Sequence, residues 1–316
     1  MRGSPESAEF EERCRQHLAW EPRTDEIPFQ RRARLLQALW REEQRLPVGT
    51  MRGKPRGAVV EMPFAKESLC AFLTPTVREA VRREVLDVRR AKGKMFGRPR
   101  IFNNLLSSQP LCFNLFGELA ADLDLASKVM ADMTNGKVAR VTDVSFEFSP
   151  GRGDPKYTGD RSAFDVFVSY EPAETTASRG FIGVEVKYHE GLGDKEADHR
   201  ARYDAVASMM GVFKPDRLAD LKRRPLEQIW RDHLLAGALK AVDGYDEGGF
   251  AFLYPEGNTK CAAAVAAYQG CLTTSDGFMA WTMEAVVESL RRHTTASWVG
   301  AFFERYLDFS RIERLL

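Results

Sequence analysis

Ser162–Glu190, SAFDVFVSYEPAETTASRGFIGVEVKYHE, is the stretch whose reading decides the fold. Two apolar strands flank a polar loop. The first strand carries Asp165, and the second carries Glu185 and Lys187 two residues apart. In a strand, residues i and i+2 point to the same face. Glu185 and Lys187 therefore share a face, and Ile182, Val184, Val186 and Tyr188 fill the other. Charges inside so apolar a strand need compensation, because burying an unpaired charge costs several kcal/mol or more. A divalent metal beside Asp165 and Glu185 supplies it. Hard cations such as Mg²⁺ take oxygen ligands, often one or two carboxylates with substrate phosphates. A solvated edge pair is the plainer reading of the same Glu-x-Lys.

Working outward, Val141–Ser149 alternates as a strand, and Gly151–Asp160 reads as a loop. With strands Ala163–Tyr170 and Phe181–Tyr188 this makes a meander. Lys195–Met210 is predicted helical. Pro225 opens a helix over Leu226–Ala241, in which His233 lies on the apolar stripe and reads as a hydrogen-bonded core histidine. Phe250–Tyr254 is a buried strand, Asn258–Tyr268 a helix, and Phe278–Trp281 a short strand. Thr282 caps a helix through Arg292, and Thr295–Phe309 is a last amphipathic helix. Strands in runs with helices outside imply an α/β fold around a mixed sheet.

The N-terminal part reads as helical elaboration. Phe10–Leu18 and Arg31–Arg45 are amphipathic. Leu46–Val60, with Pro47, Gly49, Gly53, Pro55 and Gly57, reads as a loop. Ser68–Phe72 reads as a short extended piece. Thr74-Pro75 opens a helix to about Ala91 by the N-cap and N1 preference. Gly93–Asn104 is a basic loop, and Ser108–Pro110 opens one helix over Leu111–Met133. The division expected is 1–100 for the partly basic elaboration and 101–316 for the core.

Asp, about twenty residues, then Glu-x-Lys on neighbouring strands resembles the active-site signature of the PD-(D/E)XK nuclease superfamily. The wider context GDRSAFDVFVSY…GFIGVEVKYHE, with IFNNLLSSQPLCFNLFGEL upstream and LEQIWRDHLLAGAL downstream, is similar to a group of bacterial restriction-type endonucleases in it. The likeness runs from about Phe102 to Pro255. Phe164, not Pro, precedes Asp165. The resemblance implies a restriction-endonuclease-like mixed β-sheet flanked by helices. It also implies Mg²⁺-dependent hydrolysis of phosphodiester bonds in DNA, with Mn²⁺ as a substitute. Asp165, Glu185 and the Val186 carbonyl would bind the ion, and Lys187 would position the attacking water. Glu118 is the best-placed extra carboxylate from the first core helix, with a solvated helix edge as its alternative. Gln228 and Arg231 could reach the site or the backbone of DNA, and a Glu227–Arg231 surface pair is their alternative. Asp160 and Arg161 could approach the site or form a loop salt bridge. A restriction or defence endonuclease is the leading function. A repair or recombination nuclease of the same fold, or a nucleic-acid-binding protein that does not cleave, are the alternatives. Double-strand cutting would ask for two sites, hence a homodimer.

Composition bounds these readings. The 316 residues are 44% hydrophobic and 29% charged, as in an ordinary soluble protein. The net charge is only +1, yet Thr76–Arg100 holds nine basic residues against three acidic ones, an excess of six. Phosphate backbones attract such a local field, and a solvated helix face also produces one. The five cysteines show no CxxC spacing, which disfavours disulfides and zinc and fits a reducing cytoplasm. No apolar run is long enough to span a bilayer, so no membrane partner is expected. The N-terminus lacks the apolar core of a signal peptide. No Walker-type phosphate loop is present.

Overall fold

The computed structural model describes residues 8–22, 26–174, 176, 178–192 and 197–316. Its centre is a five-stranded sheet in the order β3-β4-β5-β6-β7. The strands are β3 (Val138–Phe148), β4 (Phe164–Pro172), β5 (Gly180–Val186), β6 (Glu247–Tyr254) and β7 (Phe278–Thr282). A separate two-stranded sheet pairs β1 (Val48–Met51) with β2 (Lys54–Val60). The meander β3-β4-β5 is antiparallel, with Val166 opposite Val184 and Tyr170 opposite Gly180. β5-β6 and β6-β7 are parallel. Parallel neighbours need crossovers, and the helices Glu227–Asp243 and Thr259–Gln269 supply them. All of β5 is buried, as a central strand with parallel pairing should be.

Each face of the sheet has its own core. Val166, Val168, Ile182, Val184, Val186 and Leu253 pack on one side with Leu111, Leu115 and Phe116 of the Ser108–Ala121 helix. Phe29, Ala33 and Trp40 of the Pro28–Glu43 helix and Phe72 belong to that same core. Phe167, Phe181, Phe250 and Phe252 pack on the other side against Ile229, Trp230 and Leu234. Among the described residues, no helix is long and apolar enough to cross a membrane.

One irregularity matters for the site. Phe146 pairs with Val166, and Phe148 pairs with Phe164. In a regular strand Phe146 and Phe148 would share a face. Instead Phe146 stacks on Phe113 in the first core at 4.2 Å, while Phe148 stacks on Phe167 in the second at 4.1 Å. The residue between them, Glu147, has φ 51, a left-handed conformation uncommon for a non-glycine residue. The ladder turns over there, opposite Asp165.

Several boundaries differ from expectation for local reasons. Leu46–Val60 is the β1-β2 hairpin rather than a loop. Arg52 and Gly53 take φ 53 and 74, the left-handed pair that a tight hairpin turn requires. Ser68–Phe72 is not extended, because the helix Phe64–Ser68 occupies its start and Leu69 ends it at φ 51. The helix from Thr74 is capped by the Thr74 side chain on Val77 N and runs as Pro75–Val81, then as π-helical Arg82–Leu86. It stops short of Ala91 because the Asp87 carboxylate accepts from the amides of Arg89 and Arg90. Leu111–Met133 is two helices, Ser108–Ala121 and Leu123–Met133, since Asp122 caps the second through Leu125 N. Arg100–Asn103 forms a short helix inside the basic loop. The helix expected from Lys195 begins at Ala201, and Lys195 itself lies outside the described residues.

Close packing around β5 gives a direct test. A Cβ on Gly183 would meet the ring of Phe164 at 2.5 Å, and Phe164 is fully buried. Gly183→Ala should destabilise the protein by about 1–3 kcal/mol, because overpacking outweighs the ~0.5–1 kcal/mol that Ala recovers in chain entropy. Urea unfolding of parent and variant measures this. An unchanged or higher midpoint would show that the Phe164 ring yields freely.

Candidate active site

The site forms where β4 and β5 part. Their described pairing ends at Val166 and Val184, while β5 stays paired with β6 through Val186 and Leu253. The Lys187 amide donates to Leu253 O at 2.9 Å, on the β6 side. Main-chain groups alternate sides along a strand, so the Val186 amide and carbonyl face β4. There the Val186 amide donates to Asp165 Oδ2 at 2.9 Å. Asp165 is thus fixed beside the Val186 main chain.

Glu185 and Lys187 lie on the opposite side of the strand from Val184 and Val186, as alternation requires. Lys187 Nζ lies 2.8 Å from Glu185 Oε1. Gln228, from the Glu227–Asp243 helix, donates through Nε2 to the same Oε1 at 2.7 Å. Burial would depress the Lys187 ammonium, but Glu185 outweighs it and holds the pKa above the ordinary lysine value. Lys187 therefore stays charged. Asp165 moves the other way. Burial, then the Glu185 charge, push its carboxyl well above the usual range, against the Val186 amide and Lys187. Glu147, across the ladder, adds to that push. Asp232, four residues after Gln228 on the same helix face, is also buried, and its carboxyl is raised by burial and by Glu185.

These residues gather more carboxyl groups than cations in a poorly solvated space, and a cation there would favour their ionised forms. Among the described residues, no group of three or more His, Cys, Asp or Glu is arranged to hold a metal ion. Mg²⁺ asks for less from the protein, since it keeps several waters and uses one or two carboxylates. Asp165, Glu185 and the Val186 carbonyl suit that demand.

Other expected residues are placed as follows. Glu118 accepts from the Thr74 hydroxyl, and among the described bonds it makes none to Asp165, Glu185 or Lys187. Arg231 donates to Asp160 Oδ2 at 3.0 Å, to Ser162 Oγ at 2.8 Å and to Glu227 at 3.3 Å. Burial pushes Asp160 up, but Ser162 N, Tyr203 Oη and Arg231 more than reverse it, to about 2. The loop ahead of β4 is therefore clamped to the helix by this ion pair, and Arg161 is exposed. His233 bonds Tyr268 Oη at 2.8 Å, and burial lowers its pKa to about 3, as a core histidine should behave.

The basic stretch is partly committed elsewhere. Arg83, Arg90 and Lys94 all reach the buried carboxylate of Glu84, at 3.0, 3.2 and 2.8 Å. Burial pushes Glu84 up, yet Lys94 and Arg83 keep it below the ordinary value. Arg78 donates to Phe72 O and Arg98 to Val85 O. A cleft of about 660 Å³ runs past Arg83, Arg90, Lys92, Lys94, Arg152 and Glu147. Glu147 joins this cleft to Asp165. Its Oε1 accepts from Met95 N at 3.1 Å and from Arg152 at 3.3 Å. Sequence reading missed Glu147 and Asp232. The spacing of Asp232 from Gln228 could have flagged the second, whereas no pattern announces the left-handed turn at the first.

Residues 23–308 match the model of the PD-(D/E)XK nuclease superfamily. No curated protein and no solved structure matches the chain. The family match spans nearly the whole length, and the mixed sheet carries Asp165 and Glu185 on neighbouring strands, with Lys187 just past the end of β5. The chain belongs to the PD-(D/E)XK nuclease superfamily.

Proposed function

We propose that this protein is a Mg²⁺-dependent DNA endonuclease with a restriction or related defence role. The observation that carries this reading is the buried Glu185–Lys187 pair beside Asp165, whose carboxylate is fixed on the Val186 amide. Asp165, Glu185 and the Val186 carbonyl would hold the ion. A divalent cation bound there polarises a phosphoryl oxygen and lowers the pKa of water. Gln228 fixes the Glu185 carboxylate through Oε1. Lys187 remains an ammonium, so it orients the attacking water and offsets the negative charge that grows on the phosphate. The cleft lined by Arg83, Lys92 and Arg152 would take the phosphate backbone on the Glu147 side of Asp165. Mn²⁺ should replace Mg²⁺, since both accept the same oxygen donors.

Asp165→Asn and Glu185→Gln keep shape and remove a ligand charge. Lys187→Ala removes the ammonium. Each should slow nicking of supercoiled plasmid by at least about a hundredfold, with folding and DNA binding largely kept. A time course with Mg²⁺, with Mn²⁺ and with chelator decides. Parent cleavage that survives chelation, or variants that cut at the parent rate, would refute the assignment.

Arg89, Lys92 and Arg100 are exposed and have no carboxylate partner among the described residues. Replacing all three by Gln should reduce the salt dependence of DNA binding, by about 0.9 in the log–log slope for each phosphate no longer neutralised. Lys94→Gln should instead act on stability, because Lys94 neutralises Glu84. Fluorescence anisotropy at several salt concentrations reads the slope. An unchanged slope in the triple variant would make the stretch a solvated surface only.

A further inference from the structure

The β1-β2 hairpin stands outside the central sheet and takes no part in the site around Asp165. Its root is firmly held. Ala58, Val59 and Val60 are buried. The Arg41 guanidinium donates to Gly57 O at 2.8 Å, and Gly57 N donates to Leu18 O at 2.9 Å. Its tip is bare, with Thr50, Met51, Arg52, Gly53, Lys54 and Pro55 all exposed. From Ala58 out to Lys54 the strand covers about 13 Å, at roughly 3.3 Å per residue. Pro47–Val60 contains Arg52, Lys54 and Arg56 and no acidic residue. Arg56 turns back to Glu21 at 3.7 Å, whereas the Arg52 and Lys54 side chains make no hydrogen bond or ion pair among the described residues. Met51, 41% exposed, lies directly opposite Lys54 and shares its face of the ribbon.

An uncovered methionine beside two unpaired cations, on a ribbon that is marginal by itself, asks for a partner both anionic and apolar. Duplex DNA is such a partner, because phosphates rim its major groove and thymine methyl groups stand in the floor. The hairpin root also lies close to the catalytic strand end. Leu105 N donates to Ala58 O at 3.0 Å, and Leu106 O is 3.2 Å from His189 Nδ1, two residues after Lys187. We propose that the β1-β2 hairpin is the sequence-reading element, a ribbon that enters the major groove beside the cut site. That groove admits a two-stranded ribbon. Arg52, at the turn, presents the guanidinium fork that pairs with guanine O6 and N7, and Met51 packs on a thymine methyl. Lys54 neutralises a flanking phosphate, which fixes register without reading sequence. The assignment rests on the reading of DNA as the substrate.

Cleavage-site sequencing on a randomised plasmid library, with fluorescence anisotropy on duplex DNA, tests it in the full chain. The parent should cut at a short pattern that includes a guanine. Arg52→Gly suits the turn, where Arg52 has φ 53, and should lose the preference at that one base pair. Lys54→Gln should weaken binding alike on every sequence and lower the log–log salt slope by about 0.9. Both side chains are exposed, so neither change should move the thermal midpoint. A parent without sequence preference, an Arg52→Gly variant that keeps the parent's pattern, or a Lys54→Gln variant with the parent's slope would overturn the hairpin assignment while leaving Mg²⁺-dependent cleavage untouched. A parent that neither binds nor cuts DNA would sink the nuclease reading and the hairpin assignment together.

Discussion

Where β4 and β5 stop pairing, the Val186 amide still needs an acceptor, and Asp165 Oδ2 provides it at 2.9 Å. A buried amide without a partner would be costly, so this bond holds the carboxylate as firmly as the sheet holds the strand. The rest of the site follows from it. With Asp165 fixed on the β4 side of Val186, Glu185 and Lys187 emerge on the adjoining face and meet the Glu227–Asp243 helix. The parting itself has a local cause. Glu147 takes a left-handed backbone opposite Asp165, turning the β3-β4 ladder over so that Phe148 and Phe164 enter the second core while Phe146 and Val166 stay in the first. Backbone strain of this kind costs about 1–3 kcal/mol and persists only where surrounding packing enforces it. Here two phenylalanine stacks do so.

The electrostatics follow from burial. In water, Asp165 and Asp232 would ionise with little regard for their neighbours. Here burial, and after it the charge of Glu185, raises both. Lys187 compensates Glu185 but cannot serve all three. Crowding carboxylates into a space where protein donors are already engaged favours a cation there. The Glu84 cluster makes a useful contrast. There Arg83, Arg90 and Lys94 surround one buried carboxylate and satisfy it. That arrangement secures the edge of the basic cleft, whereas the arrangement at Glu185 leaves demand for a ligand.

Much of this was legible from residues. Period-two alternation placed Glu185 and Lys187 on one face, and the apolar flanks of that strand marked those charges as needing compensation. The order of strands and crossover helices followed from alternating patterns, and the mixed sheet came with it. The hairpin at Val48–Val60 was hidden because its glycines and prolines suggest a loop, although Arg52-Gly53 is the turn that joins two strands. The excess of cations in Thr76–Arg100 was visible, but not that Glu84 would draw three of them inward. Burial of a single glutamate is a tertiary fact that composition cannot reveal. Glu147 was hidden for the same reason, since its backbone conformation is imposed by the packing of its neighbours and not by its own preference.

The Pro28–Glu43 helix and the last helices also hold the segment that follows Lys187. Tyr188 is fully buried, and its hydroxyl donates to Tyr306 O at 3.1 Å and accepts from Gln37 at 3.3 Å. Gln37 in turn donates to Arg305 O at 2.7 Å, and the Arg305 guanidinium lies 4.1 Å over Trp40. Asn258 donates to the carbonyls of Tyr188 and Glu190, and Glu190 accepts from Ser108 N at the start of the first core helix. Four distant parts of the chain thus converge on three residues. A charged lysine just past a strand end would otherwise fray towards solvent, because solvation of the ammonium favours it. Pinning Tyr188–Glu190 removes that escape and keeps Lys187 against Glu185. The segments outside the motif are therefore part of what makes Lys187 a buried, paired lysine rather than a surface one.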